Sequence, residues 1–209
     1  MDFVSMFFHL DEFMASAVSE YGIWAYAILF LIIFIETGIV IAPFLPGDSL
    51  IFLAGTFAAL GSLDIAALFG IMTAAAIIGD SVNYYIGSHA GNKVLEGRMP
   101  YVRKEHLDNT RRFYEKHGGK TIIMARFLPI IRTFAPFVAG VAGMKYATFI
   151  AYNVVGAMLW VASFLALGYF LGNVPLVREN LELMVLAIIA LSVLPAVAGF
   201  IRSRKTWAK

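Results

Sequence analysis

One long apolar run that ends in broken backbone constrains this chain more than any other stretch. From Tyr21 to Gly47 the only charged side chain is Glu36, and after Asp48 the next charge is Asp64. A carboxylate in hydrocarbon is unfavourable by several kcal/mol, so acids in such runs ordinarily face a bundle interior or a water-filled cavity. The run therefore predicts a buried polar site inside a membrane.

The same stretch cannot continue as a regular helix. Pro43 and Pro46 each lack a backbone N–H, and the Pro46–Gly47 pair favours a turn. Irregular backbone at membrane depth is tolerated only where it is buried in protein or lines water. The break and the acids thus point to the same place.

Composition fixes the class of protein. The chain has 209 residues, is 60% hydrophobic and 14% charged, and has a mean hydropathy of +0.80. Soluble domains are about 45–50% apolar and about 25% charged. We therefore predict an all-α polytopic membrane protein with one domain over residues 1–209. The absence of cysteine excludes disulfides and Cys-ligated metals, and no other ligand cluster suggests a metal or cofactor.

Apolar and polar segments alternate along the chain. Runs at 65–87 and 146–171 are long enough to span, whereas 21–42 is either a span or the long limb of a hairpin, which leaves the side of the N-terminus open. The predicted order is an interfacial N-terminal helix at 1–20, a first repeat at 21–90 with a re-entrant hairpin near 36–60, a basic amphipathic connector at 91–120, a second repeat at 121–172 with a re-entrant hairpin near 121–143, a transmembrane helix at 181–201 and a basic tail at 202–209.

Basic residues are concentrated in the connector and the tail. The segment 91–120 contains eight Lys and Arg residues, and the tail at 202–209 is also positive. Because positive loops remain on the cytoplasmic side, we place both the connector and the C-terminus in the cytoplasm. Topology and lipid-headgroup contact explain these charges better than nucleic-acid binding, so no nucleic-acid partner is predicted.

The two broken segments are copies of one another. TGIVIAPFLP at 37–46 aligns with TIIMARFLP at 121–129, and each is followed by an Ala-Gly pair. From these glycines the spacing agrees, since 32 residues separate Gly55 from Gly87 and 32 separate Gly140 from Gly172. If each hairpin enters and leaves on one face, each copy crosses the membrane once and the copies are inverted. In transporters, that arrangement places the site near the midplane.

The copies supply opposite charges. The first provides Glu36 and Asp48, and the second provides Arg126 and Arg132. Facing hairpins would pair them, which lowers the free energy of burying each charge. Arginine suits bidentate phosphate binding, and a poorly solvated carboxylate takes up a proton more readily than one in water. The alternative is a static buried network that only holds the hairpins together.

Further residues are candidates to line the cavity. Asp80 and Asn83 share one face of a helix, and Pro129 and Pro136 are the predicted breaks of the second hairpin. The candidate lining residues are Ser49, Asp80, Asn83, Pro46, Gly47, Pro129 and Pro136.

Two long segments carry a family resemblance. EYGIWAYAILFLIIFIETGIVIAPFLPGDSL at 20–50 and FYEKHGGKTIIMARFLPIIRTFAPFVAG at 113–140 closely resemble the bacterial DedA family of inner-membrane proteins, which has a VTT domain. The similarity runs from about Glu20 to Gly172 and includes GDSVNYYIG at 79–87 and AYNVVGAMLW at 151–160.

The resemblance implies more than the spacing does. It implies two opposed re-entrant hairpins, a relation to eukaryotic lipid scramblases, and a location in the bacterial inner membrane. Family members are associated with returning undecaprenyl phosphate across that membrane and with envelope maintenance dependent on proton-motive force. The essential acids of the family fall on Glu36 and Asp48, and its essential arginines fall on Arg126 and Arg132.

The function expected from these features is transport of a lipid. Arg126 and Arg132 would bind the phosphate of a polyprenyl carrier, and Glu36 and Asp48 would carry or gate protons. One alternative is a proton-coupled exporter of small cations or drugs, which leaves the arginines unexplained. A less favoured one is an intramembrane lipid phosphatase, for which Ser49 has no suitably spaced histidine. We therefore expect no enzymatic activity.

Two remaining patterns are structural. Gly168 and Gly172 form a GxxxG pair, which favours tight helix contacts within the bundle or between protomers of a homo-oligomer. Trp160 is expected to be an interface anchor or a packing residue.

Overall fold

The computed structural model describes residues 22–38, 47–95 and 118–174, apart from the side chains of 91–95 and 129–130. Within these ranges the chain is helical and contains no strand. The helices are α1 (Trp24–Gly38), α2 (Gly47–Ala59), α3 (Ile65–Leu95), α4 (Lys120–Ala125), α5 (Pro129–Val141) and α6 (Tyr146–Gly172). The predicted helices at 1–20 and 181–201, the part of the connector from 96 to 117, and the tail at 202–209 lie outside the described residues.

Two helices are long enough to cross a membrane. The apolar part of α3 (Ile65–Ala90) has 26 residues and a mean hydropathy of 1.9, and α6 has 27 residues and a mean hydropathy of 2.0. Because about 20 residues suffice to span, both predicted runs are confirmed as helices of spanning length. By contrast, α1 has 15 residues and α2 has 13.

The end of α3 differs from the prediction. The sequence placed the end of the span at residue 87 and the connector from residue 91, but the helix continues to Leu95. Hydropathy ends at the edge of the apolar layer, whereas a helix ends where its backbone is interrupted. The first proline beyond the span is Pro100, so the polar residues after the span continue the helix.

The second broken segment also differs in part. Helix α4 ends at Ala125 and α5 begins with Pro129 at its first turn, where a missing N–H leaves no hydrogen bond unmade. The predicted break at Pro136 is wrong, because Pro136 lies inside α5. It removes the amide that would donate to the carbonyl of Arg132, and neighbouring helices allow such residues within apolar helices.

The chain divides into two compact units, each of which is considered by itself. The first contains residues 1–29, 46–71 and 161–209, and the second contains 30–45 and 72–160.

Backbone-to-backbone contacts between α2 and α6 define the first unit. A Cβ atom at Gly55 would overlap the carbonyl of Leu165, and one at Gly168 would overlap the carbonyl of Phe52. Thr56 Oγ1 donates to the Gly168 carbonyl at 3.2 Å. The GxxxG pair therefore packs within the chain, since Gly172 lies against Thr56.

Similar contacts join α3 and α5 in the second unit. A Cβ atom at Gly87 would overlap the carbonyl of Phe137, and one at Gly140 would overlap the carbonyl of Tyr84. Tyr84 also stacks on Phe149, with ring centroids 4.6 Å apart. The buried core of this unit consists of Tyr84, Ile122, Ala125, Ala135, Ala139, Ala142 and Phe149.

The polarity of the second unit is the reverse of a soluble protein's. Large apolar side chains are exposed on α3 and α6, including Ile78, Val82, Val155, Met158 and Leu159. Polar side chains are buried in its interior, namely Glu36, Thr37, Asp80, Asn83, Arg126, Thr133 and Asn153. An apolar exterior around polar residues matches a solvent of lipid outside and a polar site within.

The α2–α6 contact predicts a sharp response to a single methyl group. We expect Gly55→Ala to lower stability by roughly 1–3 kcal/mol because its Cβ would meet backbone that cannot rotate away. The measurement is the thermal unfolding midpoint of the purified protein in detergent. Gly70→Ala is the matched control, because no atom lies within 4 Å of that position. Equal midpoints for the two variants would contradict the close contact.

Candidate functional site

The break between α4 and α5 presents two arginines to the interior of the second unit. Arg126 follows the last residue of α4, and Arg132 lies in the first turns of α5. Between them Leu128 is extended, with φ −113° and ψ 103°. The change of backbone direction lets side chains only six positions apart approach the same interior space.

Arg126 is held by two helices. Its guanidinium forms a buried ion pair with Asp80 of α3 and donates to Asn153 Oδ1 of α6 at 2.5 Å. Asn153 is itself fixed, because its Nδ2 donates to the Ile77 carbonyl at 3.1 Å. Arg126 is only 4% exposed, so each of its described partners is needed to offset the loss of water.

Arg132 pairs with the acid that the sequence singled out. Its guanidinium donates to Glu36 Oε1 of α1, and the Glu36 side chain is completely buried. Because both groups are buried, removing either one would leave an uncompensated charge in the interior, which strongly destabilises the folded protein.

Trp160 of α6 lies beside both guanidinium groups. The Cζ atoms of Arg126 and Arg132 are 5.7 Å and 5.0 Å from the indole centroid. Both distances are within the range of cation–π attraction. The indole, which is completely buried, therefore contributes to holding two like charges in one place.

Asn83 links the two broken segments to α3. Its Nδ2 donates to the carbonyl of Thr37 at 3.2 Å and to the carbonyl of Thr133 at 2.7 Å. Thr37 lies near the end of α1, and Thr133 lies in α5. A single buried amide thus fixes the distance between the backbones that carry Glu36 and Arg132.

These side chains surround a small cavity of about 10 Å³. That volume is about the size needed for one water molecule. The lining residues are Thr37, Asp80, Ile122, Arg126, Arg132, Thr133, Ala135, Pro136 and Trp160. In this arrangement each arginine is paired with an acid of the chain.

The pairing differs from the one expected from sequence. The prediction set Glu36 and Asp48 against the two arginines without assigning pairs; in the structure Glu36 pairs with Arg132, and the partner of Arg126 is Asp80. Asp48 is buried in the first turn of α2, together with Gly47 and Ser49, and belongs to the first unit. Its proposed role beside the arginines stays a prediction. Pro46 lies outside the described residues.

Two residues of the site were missed. Asn153 is a polar residue within the apolar run at 146–171, and the rule that selected Asp80 and Asn83 would have found it. Nothing in the sequence distinguishes Trp160 from an ordinary packing aromatic. Among the described residues, no three His, Cys, Asp or Glu side chains lie close enough to bind a metal ion.

The role of Asn83 can be tested by replacing its side-chain amide with a carboxyl group. We expect Asn83→Asp to destabilise the protein by about 1–3 kcal/mol per carbonyl that loses its donor, measured as the unfolding midpoint in detergent. The control is Asn173→Asp, since Asn173 is exposed and donates to the carbonyl of Tyr169, one turn earlier in its own helix region. A midpoint for Asn83→Asp that equals the control's would mean that the amide does not link the segments.

Sequence comparisons with known proteins give matches to one family model and to several membrane proteins. Residues 45–170 match the family model of the VTT domain. Protein DedA of Escherichia coli strain K12 is 51% identical over 99% of this chain and 95% of its own length. An uncharacterized membrane protein of Mycobacterium leprae (ML0287) is 42% identical over 84% of this chain and 80% of its own length. The inner membrane protein YghB of E. coli is 31% identical over 84% of this chain and 81% of its own length.

No solved structure matches the chain significantly. The VTT match covers more than half of the residues, and the identity to protein DedA extends over almost all of them. The chain therefore belongs to the DedA family of membrane proteins.

Proposed function

We propose that this protein carries a lipid phosphate across the cytoplasmic membrane. The cargo is a polyprenyl phosphate, with undecaprenyl phosphate as the favoured candidate, and transport is coupled to protons. The observation that supports it most is that Arg126 and Arg132 line one cavity inside a unit with an apolar exterior. Paired guanidinium groups suit a phosphate headgroup, while the lipid tail stays in the bilayer.

The architecture supports a carrier. The α2–α6 contact through Gly55 and the α3–α5 contact through Gly140 join corresponding parts of the two sequence copies. We propose that these copies form an inverted repeat with two re-entrant hairpins. In transporters of this kind, helix breaks meet near the midplane and the two halves move to expose the site to each side in turn.

Movement is required because the cavity of about 10 Å³ is too small for a phosphate. Binding must separate the arginines from their acids, and a carboxylate that has taken up a proton holds an arginine less strongly. We propose that Glu36 and Asp48 carry or gate these protons, so that proton entry and headgroup binding are linked.

An exporter of cations is the other class considered. The charged side chains that line the cavity are two arginines and one acid, Asp80, so a cation would meet lining side chains of net positive charge, and like charges repel strongly in a poorly solvated interior. This observation favours an anion as the cargo.

The headgroup role predicts weaker binding when the arginines are removed. We expect wild-type protein to retain undecaprenyl phosphate in native mass spectrometry. In Arg126→Ala/Arg132→Ala, retention should fall by about tenfold or more for each charge-assisted hydrogen bond that is removed. Lys145→Ala is the control, because it removes an exposed basic charge. Equal retention by all three proteins would place the headgroup elsewhere and leave the arginines a folding role.

The coupling role predicts a change in the response to a proton gradient. We expect Glu36→Gln to weaken, without abolishing, the dependence of transport on the gradient, because glutamine keeps the shape of the side chain but cannot take up a proton. The measurement is lipid phosphate movement in proteoliposomes with and without an imposed gradient, and a protonophore gives the uncoupled baseline. Unchanged dependence would make Glu36 part of a static network.

A further inference from the structure

We propose that Asp80 couples headgroup binding to proton uptake: it holds Arg126 while the site is empty and releases it to the phosphate by taking up a proton. This inference rests on the proposed function and assigns one step of it to a residue that sequence reasoning had placed only on the cavity wall.

The geometry allows Arg126 to exchange one anionic partner, Asp80, for another, a phosphate. Its guanidinium contacts both Asp80 and Asn153, and Asn153 is anchored separately to the Ile77 carbonyl. When the ion pair with Asp80 separates, the amide oxygen of Asn153 still accepts a hydrogen bond from the guanidinium and keeps it in position. The N–H that faced Asp80 then becomes available for a phosphate oxygen in the cavity that both Asp80 and Arg126 line.

Among the described residues, the charged groups beside Asp80 are the two arginines and the acid that pairs with the second of them. Arg126 is its direct partner, and Arg132 of α5 lines the same cavity. Glu36 of α1 pairs with Arg132, and Asn153 of α6 is neutral. On α3 itself Asp80 is the only charged residue between Ile65 and Ser88.

The charges of these described groups, two guanidinium groups and two carboxylates, sum to zero. A phosphate monoester brings about 1.5–2 negative charges at neutral pH. If both carboxylates stayed ionised, the headgroup would lie beside Asp80 in surroundings that screen poorly, which is strongly unfavourable. One proton on Asp80 and one on Glu36 restore neutrality and free both arginines.

The step is balanced in atoms and charge. A proton binds to an Asp80 oxygen, the Arg126–Asp80 ion pair separates, and Arg126 donates its N–H groups to the phosphate. On release the phosphate departs, the proton leaves Asp80, and the ion pair forms again. No covalent bond between heavy atoms changes.

The test is the pH dependence of binding of farnesyl phosphate, a soluble probe, to full-length protein in detergent. Affinity of the wild type should fall as pH rises from about 5.5 to about 8.5, because binding takes up protons that are scarcer at high pH. Asp80→Asn is neutral at every pH, so the slope of log affinity against pH should decrease by about one proton, and binding at the highest pH should tighten by about tenfold or more. The ionisation of the probe itself is common to all proteins compared.

The matched control is Asp64→Asn. Asp64 is exposed and accepts a hydrogen bond from the Ala67 amide at 2.7 Å, a role that asparagine also fills. Its slope should equal that of the wild type. In Asp80→Asn combined with Arg126→Gln the gain in affinity should disappear, because the gain acts through Arg126.

Two results would overturn the inference while the proposed function stands. One is a slope for Asp80→Asn equal to that of the wild type. The other is weaker binding by Asp80→Asn at every pH with an unchanged unfolding midpoint, which would make Asp80 a fixed anchor of Arg126. Absence of binding by the wild type at every pH would instead remove the proposed function.

A second measurement does not depend on the folding of Asp80→Asn. In weak buffer with a pH indicator, binding of the probe should take up about two protons in the wild type and about one in Glu36→Gln. The remaining proton is assigned to Asp80 when Glu36→Gln combined with Asp48→Asn takes up the same single proton, which excludes Asp48 as its site. No uptake in Glu36→Gln would overturn the assignment.

Discussion

The burial of two arginines in an apolar unit is the constraint on which the rest of this structure depends. Each guanidinium needs an acid, since an unpaired buried charge destabilises a protein by about 3–5 kcal/mol. Asp80 and Glu36 satisfy that need from α3 and α1, and the break between α4 and α5 allows both arginines to point inward. Close helix contacts through glycine bring the supporting backbones near enough for these side chains to meet.

Neutral amides give this charged cluster its fixed geometry. Asn83 ties the backbones at Thr37 and Thr133 to α3, and Asn153 joins Arg126 to the Ile77 carbonyl. Unlike the acids, asparagine does not titrate, so these links persist whatever protons are bound. The site thus combines amide links that do not titrate with ion pairs whose acids do, an arrangement that suits the proposed opening of the cavity for a lipid phosphate.

The charged residues of the site and the two long helices could be predicted from sequence, because a charge within an apolar run is a strong signal. That signal identified Glu36, Arg126 and Arg132, and the run lengths identified α3 and α6. It could not assign the partner of Arg126, since the choice between Asp48 and Asp80 depends on which helices pack together. Pro136 was wrongly predicted to end a helix, because local sequence does not show that neighbouring helices can accommodate a missing amide. The role of Trp160 could not be predicted for a related reason, because it depends on the two guanidinium groups that the fold places beside the indole.

The position of Trp160 has a consequence for how the site can be observed. One indole lies within 6 Å of both guanidinium groups, and the emission of an indole responds to the electric field of nearby charges. Displacement of either arginine changes that field, so a single chromophore records events at both ion pairs. Once Trp24 and Trp207 are replaced, the protein contains its own optical probe at the centre of the site, one that needs no label and reports on both ion pairs together.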